Sequence, residues 1–412
     1  MNKQTPPTIQ VILAASAYGG SSVGRYNGKA VFVPFTIPGE VVKVSIVEEK
    51  KNFALARLVE VVKPSPLRVE PPCPYHSVCG GCHYQHLPYQ EQLNLKRTIF
   101  GEQLKKIAKI TDLPPIEVVP SPSQLGYRNN VQFHLNSQGK PCFVPAETGV
   151  PLLAVEDCLL MGNASKELLP YLSFESESGI DRVILREAEG SSMLILESDE
   201  LDVPALQIEA DMSVVHITEQ DTVVLAGEDY LVHQVAGQKF KVSAASFFQV
   251  NTQATAIMVE KVLDTINWDA EMVVMDLYCG VGLFSKFLAP RVGKIIALEV
   301  SSSSCADFVD NLDEFDNVEL YEGLAEEIVP NIRSKVDVVV ADPPRAGLDS
   351  RVTDALAKLM PTWLVYVSCD PTTFARDVAR LAGHGYELAS STILDMFPHT
   401  YHIESINLFK RV

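Results

Sequence analysis

At 412 residues the chain exceeds what one hydrophobic core usually serves, so two or three domains are expected. No stretch reads as a membrane span: the nearest, Ile9-Gln-Val-Ile-Leu-Ala-Ala15, is short, interrupted by Gln10 and preceded by Thr-Pro-Pro rather than a basic region. It is neither a transmembrane helix nor a convincing signal peptide, and the chain reads as cytoplasmic. The formal charge of −18 argues against a polyanionic partner only until it is divided: residues 1–110 hold 14 Lys+Arg against 7 Asp+Glu (+7), leaving 34 − 14 = 20 against 52 − 7 = 45 (−25) for residues 111–412. A basic front end that can meet phosphates thus precedes an acidic body that would repel RNA or DNA everywhere except at a docking face.

Residues 1–66 read as a small β-barrel, with strands at Ile9–Ala14, Ala30–Phe35, Glu40–Glu48 and Ala54–Val62 separated by Tyr-Gly-Gly, Asn-Gly and Pro-Gly turns. Pro64-Ser-Pro66 makes a linker. A central region, 67–236, follows: a cysteine-rich knot, a basic helical stretch (Gln90–Ile110, with Lys96, Arg97, Lys105, Lys106 and Lys109) placed to pack on the last domain, and an acidic, strand-rich middle.

From 237 to 412 strands and helices alternate. Apolar strands are expected at Met272–Leu277, Lys294–Leu298, Val336–Ala341 and Trp363–Val367, with helices near Leu283–Leu288, Ala306–Glu314, Asp349–Leu359 and Thr372–Ala382. This is an α/β, Rossmann-like pattern: a mainly parallel sheet covered on both faces. Two β stretches without a helix between them, Tyr386–Asp395 and His402–Phe409, are expected to end the sheet as an antiparallel hairpin.

Ligands of such a sheet bind beyond the carboxyl ends of its strands. The first end, Met275-Asp-Leu-Tyr-Cys-Gly-Val-Gly-Leu-Phe284, has the spacing G-x-G-x-F rather than G-x-G-x-x-G, and the next strand ends in Glu299, where a carboxylate suits ribose hydroxyls. Together they resemble an S-adenosylmethionine site. Ala341-Asp-Pro-Pro-Arg345 holds Asp342 over the sheet's open edge by a stiff double-proline turn; Arg345 stands where amine methyltransferases often carry an aromatic residue. Cys369, in Tyr366-Val-Ser-Cys-Asp-Pro371, ends the next strand. A methyltransferase acting on oxygen or nitrogen needs no thiol, because the acceptor has a lone pair, whereas C5 of uracil has none. A thiolate that adds to C6 makes C5 nucleophilic, and a base must later remove the C5 proton. Glu404 is the choice of base, with His402 expected two residues earlier on the same side of its strand.

Ser246-Phe-Phe-Gln-Val-Asn251, Asp-Leu-Tyr-Cys-Gly-Val-Gly, Ala-Asp-Pro-Pro-Arg, Tyr-Val-Ser-Cys-Asp-Pro and Pro-His-Thr-Tyr-His-Ile-Glu together resemble the RNA 5-methyluridine (uracil-C5) methyltransferase family. The resemblance implies that Gln249, Tyr278, Glu299 and Asp342 line the pocket for S-adenosylmethionine and uracil, that Cys369 is the nucleophile and Glu404 the proton acceptor, and that the partner is a structured ribosomal or transfer RNA. Two positions depart from its usual pattern: Leu283 replaces an asparagine, and Asp370 stands beside the thiol where asparagine is frequent.

Cys73, Cys79 and Cys82, spaced C-x5-C-x2-C, need a fourth ligand. Spacing alone leaves zinc with His76, His83 or His86 open, and a disulfide framework suits a large cytosolic enzyme poorly. In the resembling family the fourth ligand is a distant cysteine and the group is a [4Fe-4S] cluster, which implies Cys158. Residues 8–66 resemble a TRAM domain, implying phosphate contacts from Lys43, Lys50, Lys51, Arg57 and Lys63 and stacking on Tyr18, Tyr26 and Phe53. Two other readings are an amine-directed nucleic-acid methyltransferase and a non-catalytic RNA-binding iron–sulfur protein.

Overall fold

A computed structural model describes residues 8–176, 178–199 and 210–412. They fall into two compact units. The first contains the chain through Glu102 with Val144–Leu153 and Phe397–His402; the second contains Gln103–Phe143, Ala154–Met396 and Ile403–Val412.

In the first unit, β1 (Thr8–Ser16), β2 (Ser21–Tyr26), β3 (Lys29–Pro34), β4 (Val41–Glu49) and β5 (Phe53–Lys63) close a barrel in the order β1-β2-β3-β5-β4. Alternation turns Val11, Leu13, Val31, Val33, Val42, Val44 and Ala56 into its core. The sequence pattern did not reveal β2, whose Ser-Ser-Val-Gly-Arg-Tyr carries little apolar signal. Its Gly24 is needed there, because a Cβ would lie 2.4 Å from the Ile12 carbonyl oxygen of the neighbouring strand. Helix α1 (Tyr89–Gln103) follows the cysteine loop. Its Lys96 is fully buried and donates from Nζ to the Phe397 carbonyl at 3.0 Å, so this cation is structural rather than a surface charge.

In the second unit a π-helical turn, Leu104–Ala108, packs on the last helix of the chain. Strand β6 (Ile116–Val119) comes next. Then β7 (Asn130–Leu135), β8 (Pro141–Phe143), β9 (Leu153–Ala154), α2 (Asn163–Leu168), β10 (Arg182–Ala188), β11 (Ser191–Glu197), β12 (Ser213–Ile217) and β13 (Thr222–Ala226) give a sheet of order β13-β12-β11-β10-β7-β8-β9. A hairpin, β14 (Tyr230–Val235) and β15 (Gln238–Ser243), leads to α3 (Thr252–Leu263).

The remaining elements are β16 (Val273–Leu277), α4 (Leu283–Leu288), β17 (Lys294–Glu299), α5 (Ser302–Leu312), β18 (Val318–Glu322), α6 (Ala325–Ile328), β19 (Val338–Ala341), α7 (Ser350–Leu359), β20 (Trp363–Ser368), α8 (Pro371–Gly383), β21 (Tyr386–Leu394) and β22 (Glu404–Arg411). Their sheet has the order β18-β17-β16-β19-β20-β22-β21-β6. Strands β18 to β20 run parallel, and β22 is antiparallel to both β20 and β21, which is the expected hairpin. The sheet does not end there: β6 pairs in parallel with β21 and covers an edge that would otherwise expose unpaired N–H and C=O groups. Lys261 fixes β6 through Glu117 at 2.7 Å. No described helix is long and apolar enough to cross a membrane.

Candidate active site

Strand order reverses between β16 and β19, which opens a crevice at their carboxyl ends. The register pairs Leu277 with both Leu298 and Ala341, so Tyr278, Glu299 and Asp342 come to one level at that crevice. Tyr278 is held at φ +63°, a left-handed conformation that costs a bulky residue about 1–3 kcal/mol and is the kind of strain that collects at functional turns. A Cβ on Gly282 would lie 2.3 Å from the Leu312 side chain, so this glycine lets α5 approach the turn. The Glu299 carboxylate accepts from the backbone N–H of Gly280 (2.9 Å), Val300 (2.8 Å) and Ser301 (2.9 Å), tying the glycine turn to the end of β17.

Asp276 was not singled out in the sequence, although a carboxylate in Val-Val-Met-Asp-Leu was the available signal. It is fully buried, accepts from Ser285 Oγ at 2.6 Å through Oδ2, and has no partner for Oδ1 among the described residues. Burial pushes its carboxyl up to about 7, against the usual 3.8.

The β20/β22 ladder ends at the pair Ser368–Ser405, so Cys369, the residue after β20, and Glu404, the first residue of β22, both lie directly beyond that last pair. Glu404 is buried and Cys369 half-buried. Gln249 Nε2 reaches Asp342 Oδ2 at 3.4 Å. Its segment is anchored by Asn129, which donates to the Gln249 carbonyl at 3.0 Å, and by Asn251, which caps α3 and donates to the Met396 carbonyl at 3.1 Å. Burial and then the neighbouring Glu404 push the Cys369 thiol up to about 12; Asp342 and Asp370 act in the same direction and Arg345 opposes them. Burial, reinforced by Asp342 and opposed by Arg345, likewise holds Glu404 well above the usual carboxylate range. Asp370 is committed elsewhere: its Oδ1 caps α8 by accepting from Thr372 N (2.8 Å) and Thr373 N (3.0 Å), a role asparagine could also fill.

The expectation for His402 is corrected. The strand begins at Glu404, so two-residue alternation does not reach His402, which lies in the preceding loop with its N–H donating to Thr400 Oγ1. That loop turns at His399, which has φ +67°. Phe247, two residues before Gln249, is 68% exposed and presents a bare aromatic face that the sequence reading passed over.

Several barrel cations meet carboxylates. Lys43 pairs with Glu60 at 2.7 Å, Arg57 with Glu147 at 3.1 Å, and Lys50 with Glu48. Lys51 and Lys63 have no ion-pair partner among the described residues. Tyr18 packs edge-on against Tyr401 and Phe53 against Phe32, while Tyr26 is 40% exposed.

Cys73, Cys79 and Cys82 lie in the first unit and Cys158 in the second, and none of the eight cysteines is in a disulfide bond. Among the described residues no three His, Cys, Asp or Glu side chains are gathered as a metal site. The loop has one feature suited to a sulfur-bound group: the Gly81 N–H points at Cys79 Sγ, 3.4 Å away.

A profile of the tRNA (uracil-5-)-methyltransferase family matches residues 197–412, and one of the TRAM domain matches residues 8–59. Two proteins described as uncharacterized RNA methyltransferases align along nearly the whole chain. That of Aquifex aeolicus is 34% identical over 98% of both chains; that of Clostridium tetani is 31% identical over 97% of this chain and 96% of its own. The crystal structure of Pyrococcus abyssi tRNA (uracil-54, C5)-methyltransferase in complex with S-adenosyl-L-homocysteine superposes with a TM-score of 0.77 at 26% identity, covering 97% of this chain and all of that one. A five-stranded TRAM barrel and the S-adenosylmethionine-dependent methyltransferase fold thus occur in one chain, which belongs to the tRNA (uracil-5-)-methyltransferase family of RNA-modifying enzymes.

Proposed function

We propose that this enzyme methylates C5 of a specific uridine in structured ribosomal or transfer RNA through a covalent adduct between Cys369 and C6. The observation that supports the reading is that Cys369 and Glu404 both adjoin the last pair of the β20/β22 ladder, Ser368–Ser405, and that Asp342, which acts on both electrostatically, meets Gln249. Gln249, Tyr278, Glu299 and Asp342 would hold S-adenosylmethionine and the base; when bound, the cofactor supplies an electrophilic methyl group on a positively charged sulfur. The positive charge of a cofactor held by these residues would favour the thiolate form of Cys369 and the carboxylate form of Glu404, offsetting the burial and the mutual repulsion that otherwise keep both protonated.

The Cys369 thiolate adds to C6, and the electron pair moves to C5 and O4. C5 would take the methyl group and become tetrahedral, with the methyl–sulfur bond breaking and its electron pair staying on sulfur, which leaves as a neutral thioether. The Glu404 carboxylate then removes the C5 hydrogen as a proton, the C5–C6 double bond re-forms, and the C6–S bond breaks to return the thiolate. Because sulfur must reach C6 from a face of the ring, which stacking covers, the target nucleotide leaves its stack. The barrel, through Lys51 and Lys63 above all, would meet phosphates, and the work belongs in the cytoplasm.

Cys73, Cys79, Cys82 and Cys158 are proposed as ligands of a [4Fe-4S] cluster, as the resemblance to the uracil-C5 family implies, and the Gly81 N–H directed at Cys79 sulfur suits a sulfur-bound group. RNA carrying tritium at C5 of uracil tests the catalytic reading. Tritium release in step with methylation is expected, and methylation without release would overturn it.

A further inference from the structure

Beyond the groups that meet the reacting atoms, the second unit contains a polar joint that nothing above has used. Asp377, on α8, has a fully buried carboxylate. Its Oδ2 accepts from Leu348 N (2.8 Å) and Tyr366 Oη (2.9 Å), and its Oδ1 accepts from Arg376 Nε (2.9 Å) and Arg380 Nη1 (3.3 Å). The two guanidiniums continue outward: Arg376 Nη2 donates to the Ala346 carbonyl at 2.7 Å and Arg380 Nη1 to the Leu348 carbonyl at 3.2 Å. Thr373 Oγ1 adds a bond to the Arg345 carbonyl at 2.9 Å. Backbone groups of Arg345, Ala346 and Leu348 are thus held by four side chains of one helix.

The joint connects three parts of the site. Leu348 and Arg345 belong to the turn that follows Asp342; Tyr366 lies three residues before Cys369 on β20; and α8 begins directly after the Asp370 cap. Gly347 shows how closely the parts approach. It sits at φ +74°, and a Cβ there would lie 2.4 Å from Asp377 Oδ2 and 2.7 Å from Arg376 Nη2. The helix does not need this network to stay docked, because Phe374, Ala375, Val378 and Leu381 already bury its apolar face. Burying a carboxylate costs several kcal/mol unless it is paired; here Oδ2 holds the turn and β20 directly, through Leu348 N and Tyr366 Oη, and Oδ1 orients the two arginines that bond the turn's carbonyls. Asp342 is independently anchored, its N–H donating to the Leu277 carbonyl at 3.2 Å, so the part of the turn that depends on the joint is the segment bearing Arg345.

We infer that Asp377 is a positioning residue: it fixes the Arg345 segment of the Asp-Pro-Pro-Arg turn relative to β20, the strand that leads into Cys369, and so holds the cation of that turn at a set distance from the thiol. The inference rests on Cys369 being the nucleophile. Among the described residues the charged groups acting on that thiol are Glu404 from β22, Asp342 and Arg345 from the turn, and Asp370 from the α8 cap, and of these only Arg345 favours the thiolate. Loosening its segment therefore removes the favourable charge and leaves the unfavourable ones.

The test measures the rate of iodoacetamide alkylation of Cys369 between about pH 7 and 9 in the full chain, where the rate follows the small thiolate fraction, by mass spectrometry of the peptide bearing it, alongside methyl-transfer kinetics. Asp377→Asn and Gly347→Ala attack the joint from its two sides. Both are expected to slow alkylation at each pH several-fold and to lower kcat by about 10- to 100-fold, with KM for RNA held within about threefold. In an Arg345→Gln background, Asp377→Asn is expected to slow alkylation no further. Unchanged alkylation rates and kcat in both single variants would overturn the inference even if Tm falls, as would a full further slowing in the Arg345→Gln background. Should Asp377→Asn fail to fold, Gly347→Ala decides alone. A wild-type enzyme that transfers no methyl group to uracil C5 would instead refute the proposed reaction, while the alkylation profile would still judge the joint.

Discussion

Asp276→Asn removes a carboxyl that β16 buries completely, with one oxygen bonded to Ser285 and the other without a partner among the described residues. Burial raises its pKa from 3.8 to about 7, a displacement of about three units, and each unit corresponds to about 1.4 kcal/mol between the protonation states. Because the folded-state value is the higher one, the folded protein binds the extra proton. The contribution is fully favourable below about pH 4 and is lost as pH rises through 7. The ionised carboxyl therefore destabilises the fold at pH 8 by as much as ~4 kcal/mol relative to its protonated form. Asparagine keeps the size and cannot ionise. Urea unfolding at pH 5 and pH 8 should show the wild type losing more stability with rising pH than the variant, by about 2–3 kcal/mol. The variant should be close to wild type at pH 5 and more stable at pH 8. The charge of Asp276 also helps raise Asp342, so the titration of Asp342 should move downward in the variant. Equal losses of stability between the two pH values in both proteins would refute the reasoning.

Glu404→Gln is isosteric and removes the proposed base after methyl transfer; turnover should fall about 10²- to 10⁴-fold and a denaturation-resistant enzyme–RNA adduct should accumulate, whereas loss of turnover without adduct would count against that role. Cys158→Ala should lower the iron content and the brown absorbance of anaerobically purified protein, and unchanged iron would remove Cys158 from the ligand set. Lys51→Ala with Lys63→Ala should reduce the steepness with which RNA affinity falls with salt by about two in the log–log slope, while Lys43→Ala, whose partner is Glu60, should change it less. An identical reduction for Lys43 would show that its ion pair opens on RNA.

The elements best marked in the sequence were those whose burial is uniform. Strands β16, β17, β19 and β20 are apolar on both faces, and Leu283–Leu288 was placed at the observed bounds of α4. Strand β18, Val-Glu-Leu-Tyr-Glu, is half-exposed near the sheet's edge and leaves only a weak alternation. Helix α3 is marked in the sequence only by Asn251 at its cap, which is too little to announce a helix. The addition of β6 to the catalytic sheet joins residues 116–119 to 391–394, a pairing that no local pattern encodes. At the site, strand ends and turn chemistry made Cys369, Asp342, Glu299 and Glu404 legible, because each acid or thiol interrupts or ends an apolar run. His402 was misplaced because the strand start depends on a turn at His399 that composition does not reveal. The charge asymmetry correctly marked a basic front end, but not that Lys96 is buried or that several barrel cations are neutralised by neighbouring glutamates.

The most direct test of the covalent mechanism uses RNA in which the target uridine carries fluorine at C5, so that the final proton removal cannot occur. Incubation with enzyme and S-adenosylmethionine, followed by digestion and mass spectrometry, should yield a methylated 5-fluorouridine joined to the peptide containing Cys369. Methylation of ordinary RNA by a Cys369→Ser enzyme at the native rate, or a fluorinated substrate that is never retained on that peptide, would contradict it.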